Sequence, residues 1–363
     1  MLSLISFLIV LGVLVLVHEF GHFIAAKRLG VRVEKFSIGF GPKLFSVKPG
    51  ETEYLVSAIP LGGYIKMAGD EPGEKLSNKP WEFFSRRPFD RFQIIVAGPL
   101  LNYILAFLIF SVIFMFGSPT LTTEIGGFVK DYPAGKQGKL LKGDRITAVD
   151  GKAVAYWDDM TEAIRKHSQD GPMKLAVERQ GKIIDIEIAP VVRKAKDIFG
   201  NDVSMAQIGI MPSQKIEKVK YGFFQAVEMG FKLLMKLTCM TYRALWSVLT
   251  GKMSLKDSVS GPIGIFVLTG EFAKLGFIYL VNFIGILSAS LAIFNVLPLP
   301  ILDGGHIMFL VIEKLRGKPL SVKTQENIAN VGLTLLLLFT AFVVYNDMVR
   351  FGIFGKAMGL FKK

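Results

Sequence analysis

The chain alternates between long apolar runs and polar, punctuated stretches. Four runs are long enough to cross a bilayer, which takes roughly 20 helical residues. They extend from about Leu4 to Ala26, Phe92 to Phe116, Phe277 to Leu302 and Ile328 to Val349. No basic residue precedes the first run, and His18, Glu19 and His22 lie in its second half. It therefore reads as a retained helix rather than an export signal. Between the first two runs, Gly39-Phe40-Gly41-Pro42 predicts a turn, Tyr54 to Pro60 a strand, and Leu61 to Met67 a further strand after a glycine turn.

After the second run the pattern becomes that of a polar domain. Gly143 to Gly151 reads as turn, short strand and turn, and Trp157 to His167 has helical spacing. Lys174 to Glu178 and Ile183 to Ile188 alternate as a hairpin around Gln180-Gly181, and Ile208-Gly209-Ile210 reads as a last short strand. From Tyr221 to Leu249, Phe224, Val227, Phe231, Leu234 and Leu237 recur at helical spacing, with Lys232 and Lys236 on another face. That predicts an amphipathic helix lying on a membrane surface, with a fifth span as the alternative. The charges Glu228, Lys232, Lys236, Arg243 and Lys252 argue against crossing. The expected divisions are 1–117, 118–213, 214–276 and 277–363.

Composition agrees with this mixture. Of 363 residues, 51% are hydrophobic and 20% charged, too apolar for a wholly soluble chain. The net charge of +13 has two ordinary explanations, nucleic acid and anionic lipid. Lipid is favoured, because basic residues cluster beside apolar runs and no nucleic-acid module is visible. Lys27, Arg28 and Arg32 follow the first run, Lys79, Arg86, Arg87 and Arg91 precede the second, and Lys314, Arg316, Lys318 and Lys323 separate the last two. If the runs alternate, these groups share one side, the cytoplasm. The segment from about Ser118 to Gly276 then faces outward. Arg350, Lys356, Lys362 and Lys363 lie on the opposite side from the rule. The single cysteine, Cys239, allows no intrachain disulfide.

His18-Glu19-Phe20-Gly21-His22 fits H-E-x-x-H. Four residues make slightly more than one helical turn, so both imidazoles leave one face about 6 Å apart along the axis. That spacing lets two histidines share one zinc ion, with Glu19 beside them as general base. The pattern is short and also arises where histidines merely pack. Inside a spanning helix, however, each charged residue costs roughly 2.5–3.5 kcal/mol, so such groups are usually functional. Catalytic zinc usually takes a third protein ligand. Asp303 is the best candidate, because Pro298, Pro300, Gly304 and Gly305 break the helix around it. His306 reads either as a supporting group or as interfacial.

At this point the chain resembles the site-2 proteases, specifically the bacterial regulator-of-sigma-E protease type. The family's N-x-x-P-x-P-x-L-D-G pattern is met by Asn295, Pro298, Pro300, Leu302, Asp303 and Gly304. Gly39-Phe40-Gly41-Pro42, Gly62-Gly63-Tyr64-Ile65-Lys66, Gly98-Pro99-Leu100-Leu101-Asn102 and Ser260-Gly261-Pro262-Ile263-Gly264 are similar to further family segments, in the same order. The resemblance implies one zinc per chain, with Asp303 as third ligand. It implies that Asn295 holds unwound substrate and that Gly63, Tyr64, Ile65 and Lys66 pair with it by strand addition. It implies an extracytoplasmic, circularly permuted PDZ domain whose peptide groove is lined by Ile208, Gly209 and Ile210. Relatives often carry two such domains in tandem, whereas this chain has room for one. Ser290 stands where some relatives have a second asparagine.

The expected fold class is a polytopic α-helical membrane protein with four transmembrane helices, a small membrane-associated β-segment and one PDZ-like α+β domain. The expected function is an intramembrane zinc endopeptidase of a bacterial inner membrane, with its active site near the cytoplasmic side. Its partners would be the lipid bilayer, single-span substrates trimmed beforehand (anti-sigma factors or remnant signal peptides), and a peptide ligand of the PDZ domain. No nucleic-acid partner is expected. A metal-ion transporter would need more ligands stepping across the bilayer than the second and fourth runs supply. An inactive PDZ scaffold would have no need for the His/Glu/His/Asp set.

Overall fold

The computed structural model describes residues 2–71, 77, 79–167 and 171–352. Lys356, Lys362 and Lys363 lie outside the described residues. Helix α1 (Leu2–Arg28) is mostly apolar, with His18, Glu19 and His22 in its second half and Lys27 and Arg28 in its last turn. It ends in a glycine motif: Gly30 has φ 71°, and its N–H donates to Lys27 O while the Val31 N–H donates to Ala26 O. These bonds satisfy carbonyls that a helix end leaves open.

Strands β1 (Val33–Val47) and β2 (Glu53–Met67) follow. The expected turn at Gly39–Pro42 lies within the long β1, with Gly39 and Gly41 both at positive φ. The two expected strands in 54–67 are likewise one continuous strand. The chain nevertheless folds over itself: Phe36 is partnered by both Ile65 and Tyr54, and Val56 by both Ile38 and Phe45. Residues 35–38 thus lie inside the sheet. Among the described residues, Gly63 to Met67 pair on one side only.

Helix α2 (Pro88–Phe116) contains Pro99. Next come β3 (Ser118–Leu121), β4 (Ile125–Phe128), α3 (Pro133–Gln137), β5 (Arg145–Val149), β6 (Lys152–Ala153) and α4 (Trp157–Arg165). They lead into β7 (Met173–Arg179), β8 (Lys182–Ile188), β9 (Val191–Lys196), β10 (Asp202–Gln207), β11 (Ile210–Pro212) and β12 (Ile216–Val219). The expected hairpin is present as β7–β8, its turn made by Gln180 and Gly181, both at positive φ. The expected strand 208–210 begins only at Ile210, because Gly209 at φ 80° interrupts extended backbone.

The remaining elements are α5 (Phe223–Leu249), α6 (Leu255–Ser258), α7 (Pro262–Leu275), α8 (Phe277–Val296), α9 (Asp303–Arg316) and α10 (Val322–Arg350). The third apolar run was expected to continue to Leu302. It stops at Val296, with Leu297 extended at ψ 143°. Pro298 causes this, since a proline disfavours helical backbone in the residue before it. Asp303 is consequently the first residue of a separate helix, α9, rather than the end of α8.

The chain divides into two compact units. Unit 1 comprises 1–112, 227–242 and 254–363. Among the described residues, four helices, α1, α2, α8 and α10, are long and apolar enough to cross a membrane, while α5 is not one of them. Within unit 1, Leu234 of α5 packs against Ala106 and Phe110 of α2 and Ala289 of α8. Unit 2 comprises 113–226 and 243–253. Its four-stranded sheet runs β6-β5-β7-β8 beside a core that includes Ile146, Met160, Leu175, Val177 and Ile188.

Candidate active site

The site lies in unit 1 and begins with the spacing inside α1. His18 and His22 are both buried, with relative exposures of 8% and 7%. Their Nε2 atoms are 3.3 Å apart. Asp303, at the start of α9, brings Oδ2 to 3.1 Å from His18 Nε2 and 3.6 Å from His22 Nε2. Asp303 Oδ2 is itself buried and, among the described residues, has no hydrogen-bond donor beyond the two imidazoles it faces.

This triangle fits zinc. A tetrahedral ion with bonds of about 2.0–2.1 Å needs ligand atoms about 3.3–3.4 Å apart. The three observed edges bracket that value. A buried carboxylate oxygen without a donor is also costly unless a cation lies nearby. Among the described residues this is the one cluster of three metal-binding side chains that converges in this way. His306 is outside it, one turn along α9, exposed and beside Phe309.

Helix α2 builds the opposite wall, a contribution that the sequence reading did not assign. Gly98 lies against the His22 ring, and Gly21 of α1 lies against the backbone at Ala97 and Gly98. A side chain at either position would overlap its neighbour, so the two glycines let the helices touch. Pro99 has no N–H for the carbonyl of Ile95, and its ring opens the ladder at that turn. One turn away, the Ile94 carbonyl accepts the His22 Nδ1 proton at 2.8 Å. That bond leaves His22 Nε2 unprotonated toward the ligand cluster. Asn102 is fully buried, with Nδ2 3.4 Å from His18 Nδ1. Ile94, Gly98 and Asn102 are four residues apart, so they share one face of α2. That spacing was legible, but nothing in the sequence named the helix they face.

Asn295, on the last turn of α8, has Nδ2 3.4 Å from His18 Nε2. Glu19 is half-buried, and a Cβ built on Gly63 would lie 3.7 Å from its Cγ. The Ile65 N–H faces the Glu19 carboxylate. Gly63 to Lys66 therefore run past Glu19 as a strand edge. Of the residues singled out for the groove in unit 2, Ile208 is a core residue, 2% exposed. The Ile208 and Gly209 carbonyls accept from Ala134 and Val129, and Ile210 pairs with Phe128.

The model of Peptidase family M50 matches residues 6–339. The chain belongs to that family. It is thus a site-2 protease relative and a zinc metalloendopeptidase. A protein of Clostridium acetobutylicum named as a zinc metalloprotease is 36% identical over 352 residues, covering 96% of this chain and 97% of the relative. One from Rhizobium meliloti is 34% identical over 358 residues, covering 94% and 95%. Zinc metalloprotease RasP of Geobacillus kaustophilus is 29% identical over 425 residues, covering 96% and 98%. Among solved structures, the PDZ domain of an SdrC-like protein of Listeria innocua aligns with 26% of this chain and 96% of its own length, at 21% identity and TM-score 0.21.

Proposed function

We propose that His18, His22 and Asp303 hold the zinc of this endopeptidase, that Glu19 is its general base, and that it cuts within the transmembrane segments of single-span membrane proteins. The carrying observation is the triangle of two imidazole nitrogens and one orphaned carboxylate oxygen at zinc-ligand spacing. Zinc bound there supplies a Lewis acid that lowers the pKa of water and polarises a peptide carbonyl. Glu19, one residue from His18, takes the proton of the attacking water and delivers it to the leaving amine.

A helical substrate hides its peptide groups in its own hydrogen bonds, so it has to unwind before attack. The edge of Gly63 to Lys66, which among the described residues no further strand covers, offers replacement partners by strand addition beside Glu19. Asn295 offers an amide next to His18 for the unwound segment. The basic flanks favour a topology in a bacterial inner membrane with the site toward the cytoplasm. Unit 2 then serves as an outer PDZ-like domain. It binds peptide near Ile208, Gly209 and Ile210 and excludes substrates whose outer domains have not been trimmed, as in regulated intramembrane proteolysis.

The test is Glu19→Gln. Cleavage of a single-span reporter by the purified variant should fall by about 10²–10⁴-fold, the usual worth of a general base. Zinc content should remain one per chain. Undiminished cleavage would remove Glu19 from the reaction.

A further inference from the structure

We propose that Asn102 is a positioning residue that holds the proton on His18 Nδ1 and so keeps His18 Nε2 bare toward zinc. The inference rests on the reading of His18, His22 and Asp303 as the zinc ligands. A neutral imidazole carries one N–H, so ligation through Nε2 requires the proton at Nδ1. For His22 the Ile94 carbonyl does this, because a carbonyl oxygen can only accept. Among the described residues, no such carbonyl bonds to His18 Nδ1. The group beside its Nδ1 is the Asn102 amide, at 3.4 Å.

Two observations single out this amide. Asn102 is fully buried, and among the described residues its Oδ1 has no hydrogen-bond partner. A half-turn of the amide exchanges oxygen and nitrogen with almost no change of shape. It brings Oδ1 to His18 Nδ1, where the oxygen accepts the proton, and turns the amide N–H groups to the side that Oδ1 leaves. The backbone is in place for this: the Ser288 hydroxyl of α8 donates to the Asn102 carbonyl at 2.8 Å. Asn102 is thereby fixed between the helix that carries His18 and the one that carries Asn295. Its side chain specifies a tautomer rather than touching substrate.

The experiment measures zinc affinity of the full-length, detergent-solubilised chain by chelator competition, together with the visible spectrum of the cobalt-substituted protein. Asn102→Ala should bind zinc about 10–100-fold more weakly, the usual cost of losing an outer partner of a ligating histidine. Its cobalt bands should also shift. Asn102→Asp, whose carboxylate accepts the same proton, should bind within about threefold of the parent. A merely space-filling role predicts the reverse order, since a buried charge is worse tolerated than a small cavity. Asn102→Ala binding as tightly as the parent, or Asn102→Asp binding as weakly as Asn102→Ala, overturns the proposal. Should Asn102→Ala not fold, Asn102→Asp decides alone, and a loss of tenfold or more counts against it. His22→Ala separates the two readings: if it keeps the parent's affinity, the ligand assignment fails rather than the role of Asn102.

Discussion

At the scale of single residues, the site depends on what is small as much as on what is reactive. Gly98 leaves room for the His22 imidazole, and a methyl group there would overlap the ring. Gly98→Ala should therefore push His22 off its bond to Ile94 O and lower zinc affinity by about 10–100-fold, as loss of an outer partner does. Gly12→Ala on α1 is the control, because nothing lies within 4 Å of its added Cβ. Chelator competition on the two variants checks both. The histidine pair was legible because its spacing lies within one helix, where four residues close a turn. Asp303 was legible as a carboxylate beside helix breakers and, through the family resemblance, as the expected third ligand. Asn102 closes a family-like segment, yet a polar residue in an apolar helix does not say which neighbour it faces.

At the scale of elements, the short α7 is anchored by a distant helix. The Asp347 carboxylate of α10 is fully buried and accepts the N–H of Gly261 at 3.0 Å and of Gly264 at 2.8 Å. These donors belong to the cap and first turn of α7, which have no acceptor within the helix. The carboxylate also complements the positive end of the helix dipole. Beside it, the Asn346 amide donates to Lys256 O at 2.6 Å. Asp347→Ala should cost about 1–3 kcal/mol by leaving buried N–H groups unpaired. A lowered thermal midpoint of the solubilised chain is the readout, and Asp347→Asn, which keeps one acceptor oxygen, should lose less. The hydropathy pattern anticipated α1, α2 and α10 closely and missed α7 and α9. Both are short, and α9 exists because Pro298 ends α8 early.

At the scale of the molecule, two units of different character share one chain. Unit 2 is a polar α+β domain with its own titratable contact. His167 donates through Nδ1 to Asp150 Oδ2 at 2.6 Å, while Asp150 Oδ1 accepts the Lys174 N–H at 2.9 Å. Burial pulls the His167 pKa down, but the Asp150 carboxylate and Gly171 carbonyl outweigh it and hold it above the usual 6.5. Burial pushes Asp150 up, but the bonds from His167 and Lys174 hold it below the usual 3.8. The His167 contribution is complete below its usual value and is lost as pH rises through the higher folded value. The Asp150 contribution is complete above its usual value and is lost as pH falls through the lower folded one. Hydrogen exchange at the Lys174 amide in the full chain, corrected for intrinsic rate, should therefore quicken as pH rises from the usual 6.5 of His167 through its higher folded value. His167→Ala should abolish that dependence, and an unchanged slope would remove this pair as its cause.

The sequence by itself determined the apolar spans, the polar domain between them, the histidine pair on α1 and the carboxylate set among helix breakers. Each follows from a local rule of length, periodicity or backbone restriction. Only the tertiary structure decided that α9 begins with Asp303 at zinc-ligand distance, that α2 supplies Ile94, Gly98 and Asn102, and that Gly63 to Lys66 pass Glu19. Those juxtapositions arise from helix contacts between residues far apart in the chain. The packing of glycine against ring and of amide against imidazole selects them, and no local pattern encodes that choice.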